Sequence, residues 1–244
     1  MIITSPHLCY NKTMQNLPPA EVYEKEFKYM PWGILIHEIE DYILKNTPQN
    51  GTLLDILCGP GYLLGRLHDK RKDLICHGVD LEPEFIQHAQ KKYPDITFEI
   101  ADAFTWKSDQ EYDVILVTAG LHHLPYEQQE DFVSKVSRLI KKDGFVIIAD
   151  PYIDDYSNEE ERKIAGAKLG YEYLVATIKN GGSDDVIDAA IGVLTNDVRL
   201  VEWKNSINKN KPIFDKYFSN VEMHKTWPKE ESGYGDYYFI LRKF

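Results

Sequence analysis

The sequence predicts an α/β fold: a doubly wound, mostly parallel seven-stranded sheet whose last strand is antiparallel. First, short apolar segments alternate with helical patterns between residues 51 and 150, as in a series of β-α units. Second, these segments are apolar throughout, which is typical of strands covered on both faces. Third, two C-terminal strand patterns, 221–227 and 237–242, flank the loop Gly233-Tyr234-Gly235 and are expected to pair antiparallel at one edge.

The core strands are predicted from apolar runs bounded by turn-forming or acidic residues. The first begins at Leu53 and leads into a glycine turn, and the others span 74–80, 96–101, 112–118 and 145–149. Helical patterns lie between them at 62–72, 83–93 and 127–142. Pro83 begins the second of these helices and Pro94 ends it. The third has acids in its first turn and bases in its last, as the helix dipole favours.

Two further helical regions lie outside this alternation. Helices are predicted from Pro19 and from Pro31, after a first 18 residues with little periodicity, and they form either a lid over a ligand or a cover for the sheet. Ser157 with Glu160 predicts a capping box that begins a helix reaching Lys179. A second helix follows over 184–203, and the core helix resumes at 212–218.

These patterns divide the chain into four parts. We expect an N-terminal helical cap at 1–50, an α/β core at 51–150, a helical insertion at 151–205 that caps the substrate, and the rest of the core sheet at 206–244. The chain of 244 residues is long enough for this core with a cap.

Composition and charge limit the location, the metal or disulfide content and the kind of partner that we expect. The 43% of apolar residues form no run of about 18, and the first ten residues lack a signal-peptide pattern, so a cytoplasmic protein without a membrane span is expected. The three cysteines form no CxxC pair, so neither a disulfide nor a metal site is predicted. A net charge of −11 makes nucleic acid an unfavourable partner and favours a small-molecule substrate. A homodimer stays open.

The glycine turn after the first strand predicts a nucleotide-cofactor loop. Gly59 and Gly61 permit a tight turn that a ligand can approach. Asp55 excludes a pyrophosphate, which a nearby carboxylate would repel, and Gly65 completes G-x-G-x-x-x-G rather than the dinucleotide spacing. A cofactor with a cationic centre and an ammonium group fits better, and S-adenosylmethionine (SAM) has both.

Acidic residues at the next strand ends predict the remaining cofactor contacts. Asp80 can accept hydrogen bonds from two ribose hydroxyls, or it caps the helix that begins at Pro83. Asp102 can accept from an adenine amino group while the Ala103 amide donates to the ring, or it is a solvated turn acid. The full predicted set for the cofactor is Asp55, Leu57, Gly59, Gly61, Asp80, Leu81, Asp102, Ala103, Phe104, Thr118 and Ala119.

Four segments in order resemble the motifs of class I SAM-dependent methyltransferases: 53–61, 78–81, 101–103 and 113–124. The His122-His123 run is similar to the segment after the fourth strand in the ubiquinone/menaquinone-type small-molecule branch. The resemblance covers residues 50 to 150 well and implies a Rossmann-like fold, SAM as cofactor and transfer of its methyl group to a small molecule. One position departs from the family pattern, because Leu57 stands where the first loop glycine is expected.

The resemblance also suggests where catalysis occurs. His122 and His123 follow the fourth strand and can act as a general base if the acceptor must lose a proton; alternatively they fix the loop by hydrogen bonding. Tyr10, Tyr152 and Tyr156 are candidates for the substrate wall by position alone.

Two other functions stay open beside a small-molecule methyltransferase. One is a catalytically silent SAM-fold protein that binds or regulates, which Leu57 motivates; the other is a protein or tRNA methyltransferase, of which the acidic charge disfavours the tRNA form. A nicotinamide-dependent oxidoreductase is opposed by Asp55.

Overall fold

The computed structural model describes residues 18–199 and 202–243 of the chain. Its helices are α1 (Ala20–Tyr29), α2 (Trp32–Asn46), α3 (Tyr62–Lys70), α4 (Pro83–Lys92), α5 (Tyr126–Leu139), α6 (Glu159–Lys179), α7 (Asp184–Arg199) and α8 (Ile207–Tyr217). Its strands are β1 (Thr52–Ile56), β2 (Ile75–Asp80), β3 (Thr97–Ile100), β4 (Tyr112–Thr118), β5 (Ile140–Tyr152), β6 (Asn220–Trp227) and β7 (Gly235–Arg242). A short 3₁₀ turn, Leu121–His123, follows β4.

The seven strands form one sheet in the order β3-β2-β1-β4-β5-β7-β6. All pairings from β3 to β5 are parallel, whereas β7 is antiparallel to both β5 and β6. This confirms the predicted fold class, including the antiparallel last strand. The strand order reverses direction between β1 and β4, and in such sheets ligands bind outside the carboxyl ends of the strands at that point.

Helices cover both faces of the sheet, as the continuous apolar strands predict. On one face, α2 and α3 bury Ile39, Ile43 and Leu64 against β1 and β4. On the other face, α5 and α8 contribute Phe132 and Phe214 to a second apolar cluster. Each such side chain contributes about 1.5–3 kcal/mol of transfer free energy when it is fully buried. The two clusters therefore hold the sheet from both sides and fix the carboxyl edge where the candidate site lies.

The predicted end of α5 is wrong by three residues. The helix ends at Leu139, and 140–142 already belong to β5, where Ile140 pairs with Tyr112. Lys141 resembled a basic residue that stabilises a helix C-terminus, but its Nζ instead donates to Asp113 Oδ2 at 2.8 Å. Pairing with the neighbouring strand thus replaced helical bonds that the charge pattern had favoured.

Helices α6 and α7 form the helical hairpin expected after β5, with two changes in its limits. The N-cap of α6 is Asn158, whose side chain accepts from the Glu161 amide at 3.0 Å, and Glu161 accepts from the Ser157 amide. The predicted capping box is therefore displaced by one residue. The described part of helix α7 runs to Arg199, and Glu202 and Trp203 are not helical, whereas the prediction extends the helix to about 203. The helices approach closely at Gly170, where a Cβ would lie 2.7 Å from the Cα of Leu194.

Helix α1 packs against this hairpin across the carboxyl edge of the sheet. Lys25 forms an ion pair with Asp185 of α7 at 2.7 Å, and the Asn180 side chain donates to the Tyr29 carbonyl at 2.8 Å. The N-terminal helices and the α6–α7 hairpin consequently enclose one space together. Within the described ranges, no helix is both long enough and apolar enough to cross a bilayer.

Candidate functional site

The glycine turn between β1 and α3 has a left-handed backbone at three positions. Leu57, Gly59 and Gly61 have φ of 68°, 54° and 74°. The amides of Leu57 and Cys58 both donate to the Val79 carbonyl, at 2.8 and 3.1 Å, so neighbouring strand β2 holds the turn in place. Leu57 therefore adopts the conformation for which the related motif uses glycine, at a cost of about 1–2 kcal/mol for an L-residue.

Asp55, near the end of β1, is buried in a cavity beside this turn. Its Oδ1 accepts no hydrogen bond from any described residue, and the same holds for the Oγ1 of Thr118 at the end of β4. Burial, reinforced by the charge of Asp80, raises the pKa of the Asp55 carboxyl well above its usual range. Buried polar atoms without partners are costly, so this arrangement suits a ligand that brings hydrogen-bond donors and positive charge.

The cavity at Asp55 measures about 390 Å³ with its mouth included. Leu57, Thr118 and Ala119 of the predicted set line it together with Asp55, and aromatic side chains of α1, α2 and α3 form the opposite wall: Tyr23, Trp32 and Tyr62. The sequence indicated the first group because it follows strand ends. It did not indicate the aromatic wall, since helical spacing predicts the helix but not the ligand that one residue faces.

Asp80, at the end of β2, connects the glycine turn to the start of α4. Its Oδ2 accepts from the Gly59 amide at 2.8 Å and its Oδ1 from the Glu82 amide at 2.8 Å. The N-cap of α4 is Glu82, so Asp80 supports the helix entry without being the cap. Each carboxylate oxygen has a further lone pair, which leaves capacity for ribose hydroxyls. Leu81 is partly exposed beside it.

The segment after β3 forms a tight turn around Asp102. Its Oδ1 accepts from the Phe104 amide at 2.7 Å, and the Lys135 ammonium fixes the other side of the turn by donating to the carbonyls of Ala103 and Phe104. Phe104 packs against Phe132 with ring centroids 6.0 Å apart. The turn role that sequence reasoning kept as an alternative is thus present, and it presents the Ala103–Phe104 backbone in one fixed conformation.

A second, larger cleft, of about 800 Å³ with its open mouth included, adjoins the first cavity. Tyr23, Trp32 and Ala119 line both spaces, so a ligand in the cavity would contact a ligand in the cleft. One side of the cleft is apolar, with Met30, Leu35, Leu169 and Val193, and the other is polar, with His122, His123, Asn196, Glu202 and Lys204. The shape and chemistry suit an acceptor with an apolar body and a polar reacting end.

The polar side of the cleft is a buried network of charged groups. His122 Nδ1 lies 2.7 Å from Asp150 Oδ1, and its amide donates to Asp150 Oδ2 at 3.0 Å. Lys204 forms ion pairs with Glu202 and, at 2.6 Å, with Asp197. Burial would raise the pKa of Glu202, but the attraction of Lys204, His122 and His123 together with the Lys204 hydrogen bond outweighs it and lowers that pKa. Burial and the neighbouring His122 lower the pKa of His123 to about 3, so its imidazole is neutral at pH 7.

Two predicted substrate residues lie away from the cleft. Tyr152 ends β5 and packs at right angles on Tyr237, inside the second apolar cluster. Tyr156 donates to the Asn205 side chain at 2.8 Å and is not among the residues that line the cleft. Their positions do not support a contact with an acceptor. Tyr10 lies outside the described residues.

The sequence does not predict the polar cleft residues that α1, α7 and the segment after α7 contribute. Glu26, Asn196, Glu202 and Lys204 all line the cleft, although no motif or spacing singles them out. The helical pattern over 184–203 predicts helix at Glu202, whereas Glu202 and Lys204 lie in the non-helical segment after α7 and line the cleft with His122 and His123.

Part of the α/β core matches a known protein family. Residues 53–144 match the family model described as a methyltransferase domain. The trans-aconitate 2-methyltransferase of Escherichia coli O45:K1 (strain S88 / ExPEC) is 35% identical over 89 residues, which are 36% of this chain and 35% of the relative. The chain thus matches about a third of that relative's length. The matched family region contains the glycine turn, Asp80, Asp102 and the His122-His123 pair.

Solved structures match over nearly the whole chain. Magnesium protoporphyrin IX methyltransferase from Synechocystis PCC 6803, with bound SAM, has a TM-score of 0.62 at 12% identity and covers 98% of this chain and 100% of its own. The plantazolicin methyltransferase, in complex with a triazolic desmethyl analogue and S-adenosylhomocysteine (SAH), has a TM-score of 0.58 at 12% identity, with 96% and 88% covered. At this identity the likeness establishes the fold.

Proposed function

We propose that this chain is a methyltransferase that transfers the methyl group of SAM to a small-molecule acceptor. The observation that carries the proposal is the buried, unpartnered Asp55 Oδ1 beside a glycine turn, in a cavity that opens onto a separate cleft for a second ligand. The methyltransferase-domain match over residues 53–144 supports it.

The residues of the first cavity, together with those at the ends of β2 and β3, fit SAM by their chemistry. Asp55 and Thr118 would accept from its ammonium group, Asp80 from the ribose hydroxyls, and Asp102 with the Ala103 amide would bind the adenine edge, with Leu81 and Phe104 as apolar neighbours. Gly59 and Gly61 let the backbone approach the ligand. When bound, SAM supplies an electrophilic methyl group on a sulfonium sulfur. The aromatic wall of Tyr23, Trp32 and Tyr62 would shield that cation and exclude water.

The acceptor would bind in the cleft between the sheet edge and the helices. In this proposal residues 1–50 form a cap, 51–150 and 206–244 form the SAM-binding core, and the 151–205 hairpin is the substrate cap. Met30, Leu169 and Val193 would contact the apolar body of the acceptor. Holding the nucleophile close to the methyl group in such an enclosed site can supply most of the rate enhancement.

His122 and His123 lie where the reacting end of the acceptor would be. Asp150 fixes His122 through Nδ1 and leaves Nε2 free to take a proton from an acceptor that must lose one. These features support a base role for His122. The His122-His123 run is also the reason to propose the ubiquinone/menaquinone-type branch. A small-molecule rather than nucleic-acid partner belongs to the same proposal, on the ground of the net charge of −11. The cytoplasmic location that the sequence analysis expects is proposed with it.

A catalytically silent SAM-binding protein is the second candidate, because Leu57 places a branched side chain at the cavity. It would bind SAM and SAH alike but would transfer no methyl group to any acceptor that occupies the cleft. The 800 Å³ cleft beside the cavity favours the enzyme.

Isothermal titration calorimetry with SAM and SAH tests the cofactor assignment. We expect saturable binding of both, weakened at least tenfold in Asp80→Ala because that change removes the ribose acceptor and the bond to the Gly59 amide. The matched control is Asp95→Ala, an exposed acid in the turn after α4. Absence of saturable binding at high micromolar ligand, in protein shown by circular dichroism to be folded, would overturn the proposal.

A further inference from the structure

Three side chains that could ligate a metal ion meet at the polar end of the cleft. His122, His123 and Glu202 each offer one nitrogen or oxygen, and these atoms all lie within 4.8 Å of one another. His122 and Glu202 are buried and His123 is half-buried. We propose that these three residues form a binding site for a divalent transition-metal ion such as Zn²⁺, held by two imidazole nitrogens and one carboxylate oxygen.

The fold joins the ligands although they are about eighty residues apart in sequence. His122 and His123 belong to the 3₁₀ turn after β4, and Glu202 lies in the segment after α7. The Trp203 amide donates to the His122 carbonyl at 2.7 Å, which connects the two segments directly beside the ligands. A site whose supporting backbone is already bonded needs little rearrangement to bind an ion.

Asp150 orients His122 as an outer carboxylate orients a metal-binding histidine. Its Oδ1 is 2.7 Å from His122 Nδ1, so Nδ1 carries the hydrogen and the lone pair is on Nε2. Its Oδ2 accepts the amide of the same residue at 3.0 Å, which fixes the carboxylate in turn. Metal-ligating histidines characteristically donate their other nitrogen in this way.

The spacing of the ligands suits an ion better than a direct hydrogen bond. His122 Nε2 lies 3.7 Å from Glu202 Oε2, which is too far for a hydrogen bond. Two ligands at about 2.1 Å from a tetrahedral zinc ion are about 3.4 Å apart. A small movement of either side chain would therefore place both at ligating distance from one ion.

The charges around the site also favour a dication. Asp150, Asp197 and Glu202 are buried acids, and Lys204 is the one ammonium group that contacts them among the described residues. Three carboxyl groups thus face a single ammonium group, and an excess of negative charge is costly to bury. Glu26 is a further buried acid that lines the same cleft.

Lys204 and Asn196 already contact the Glu202 carboxylate without preventing ligation. Asn196 donates to Oε1 at 3.0 Å and Lys204 donates to Oε2, and each oxygen has a second lone pair. The nearby ammonium opposes a cation, so we expect weaker binding than in a structural zinc site. Imidazole and carboxylate ligands suit zinc and its neighbours in the first transition row.

Three protein ligands would leave a coordination position open toward the cleft. If the proposed methyl transfer is correct, an acceptor hydroxyl or thiol bound there would lose its proton more easily. Ligation and proton acceptance use the same nitrogen lone pair, so His122 would then be a ligand and not the base. The metal site itself does not depend on the methyltransferase assignment.

The test is metal binding by tag-free protein after chelator treatment and dialysis. We expect calorimetric titration with ZnCl₂ to give one ion per chain, and Co²⁺ to give the strong visible absorption of a four-coordinate site rather than the weak absorption of a six-coordinate one. His123→Gln and Glu202→Gln should each weaken Zn²⁺ binding at least tenfold, and Asp150→Asn should weaken it about 10–100-fold. His224→Gln is the control, because that exposed histidine stacks on Tyr238 far along β6.

Two results would overturn the metal site. One is the absence of saturable Zn²⁺ and Co²⁺ binding at high micromolar ion in folded wild-type protein, a measurement that no variant's folding can confound. The other is one-to-one binding that persists unchanged in His123→Gln and Glu202→Gln, which would assign the ion elsewhere. SAM titrations on the same metal-free protein keep this outcome separate from the cofactor assignment.

Discussion

Replacing Leu57 by glycine and, separately, by alanine tests whether the first position of the glycine turn is strained. Leu57 has φ of 68°, and the amides of Leu57 and Cys58 are both bonded to the Val79 carbonyl. Because these bonds hold the turn, a new side chain cannot escape the left-handed region by rotating the backbone. The two variants lose the same leucine atoms beyond Cβ, so their difference isolates the backbone.

The expected magnitude follows from two opposing effects. An L-residue in the left-handed region costs about 1–2 kcal/mol, which glycine avoids. Glycine in turn loses about 0.5–1 kcal/mol through the greater entropy of its unfolded chain. We expect Leu57→Gly to be more stable than Leu57→Ala by about 0.5–1 kcal/mol, or about 1–4 °C in Tm for a chain of this size. Both should be less stable than wild type, because packing against the second apolar cluster is lost.

Urea and thermal unfolding followed by circular dichroism measure the difference. The comparison site is Ala167→Gly in α6, a helical position where glycine should instead be less stable than alanine by about 1 kcal/mol. If Leu57→Ala equals or exceeds Leu57→Gly in stability, the strain argument is refuted. Gly120→Ala offers a second readout: its Cβ would lie 3.0 Å from Leu57 Cβ, so it should destabilise wild type more than the Leu57→Gly background, as a double-mutant cycle reveals.

Three further predictions concern charges at the cleft. Burial raises the pKa of Glu26 from 4.5 to about 8, so the folded state holds a proton that the unfolded chain releases, and the stability of the fold decreases as pH rises between those values. Glu26→Gln should therefore be more stable than wild type by on the order of a few kcal/mol at pH 8 and by little at pH 4.5. Equal differences in urea unfolding at the two pH values would contradict this prediction. Tyr173 donates a hydrogen bond to buried Asp236; burial raises the pKa of Asp236 to about 7, although this bond lowers it. Tyr173→Phe should reduce the free energy of unfolding by about 1–3 kcal/mol, and by more at pH 8 than at pH 5. A loss of stability in urea unfolding that does not depend on pH would exclude a charged Asp236. Among the described residues that line the cleft, Lys204 is the single basic side chain other than histidine, and it is already paired with two acids. The cleft thus offers no free ammonium or guanidinium group to the carboxylates of trans-aconitate, which should show no saturable binding by calorimetry with SAH present. Methylation of trans-aconitate by this protein would disprove the prediction.

The sheet was predictable because its signals are local. Apolar runs of strand length, interrupted by glycine, proline or acids, predicted all seven strands, and the connection pattern predicted their mostly parallel order. Limits of elements were less predictable where a tertiary partner decided them. Lys141 has the charge expected at a helix end, yet Asp113 on the adjacent strand binds it, and this contact is not visible from the neighbouring sequence.

The candidate site divides in the same way. Asp55 and Asp80 lie at the carboxyl ends of strands and Asp102 lies just after one. Parallel strand ends meet at one edge of the sheet, so sequence order alone brings these acids together. Glu202 and Lys204 lie near His122 because the segment after α7 is bonded to the turn after β4, through the Trp203 amide and the His122 carbonyl. No sequence spacing encodes this long-range arrangement. The cysteine pattern suggested no metal ligands, whereas the proposed metal site uses histidine and glutamate from separate segments.

The chain leaves and re-enters the sheet at nearly the same point around the α6–α7 hairpin. The Ile153 amide donates to the Asn205 carbonyl at 3.1 Å, so the hairpin departs after β5 and returns before α8 with its two ends joined. Segments with adjacent ends can be exchanged for others of different length without displacing the scaffold. The hairpin is therefore a natural unit for recombination. Grafting a relative's hairpin between Ile153 and Asn205 would replace one wall of the cleft without moving the strand ends or the glycine turn.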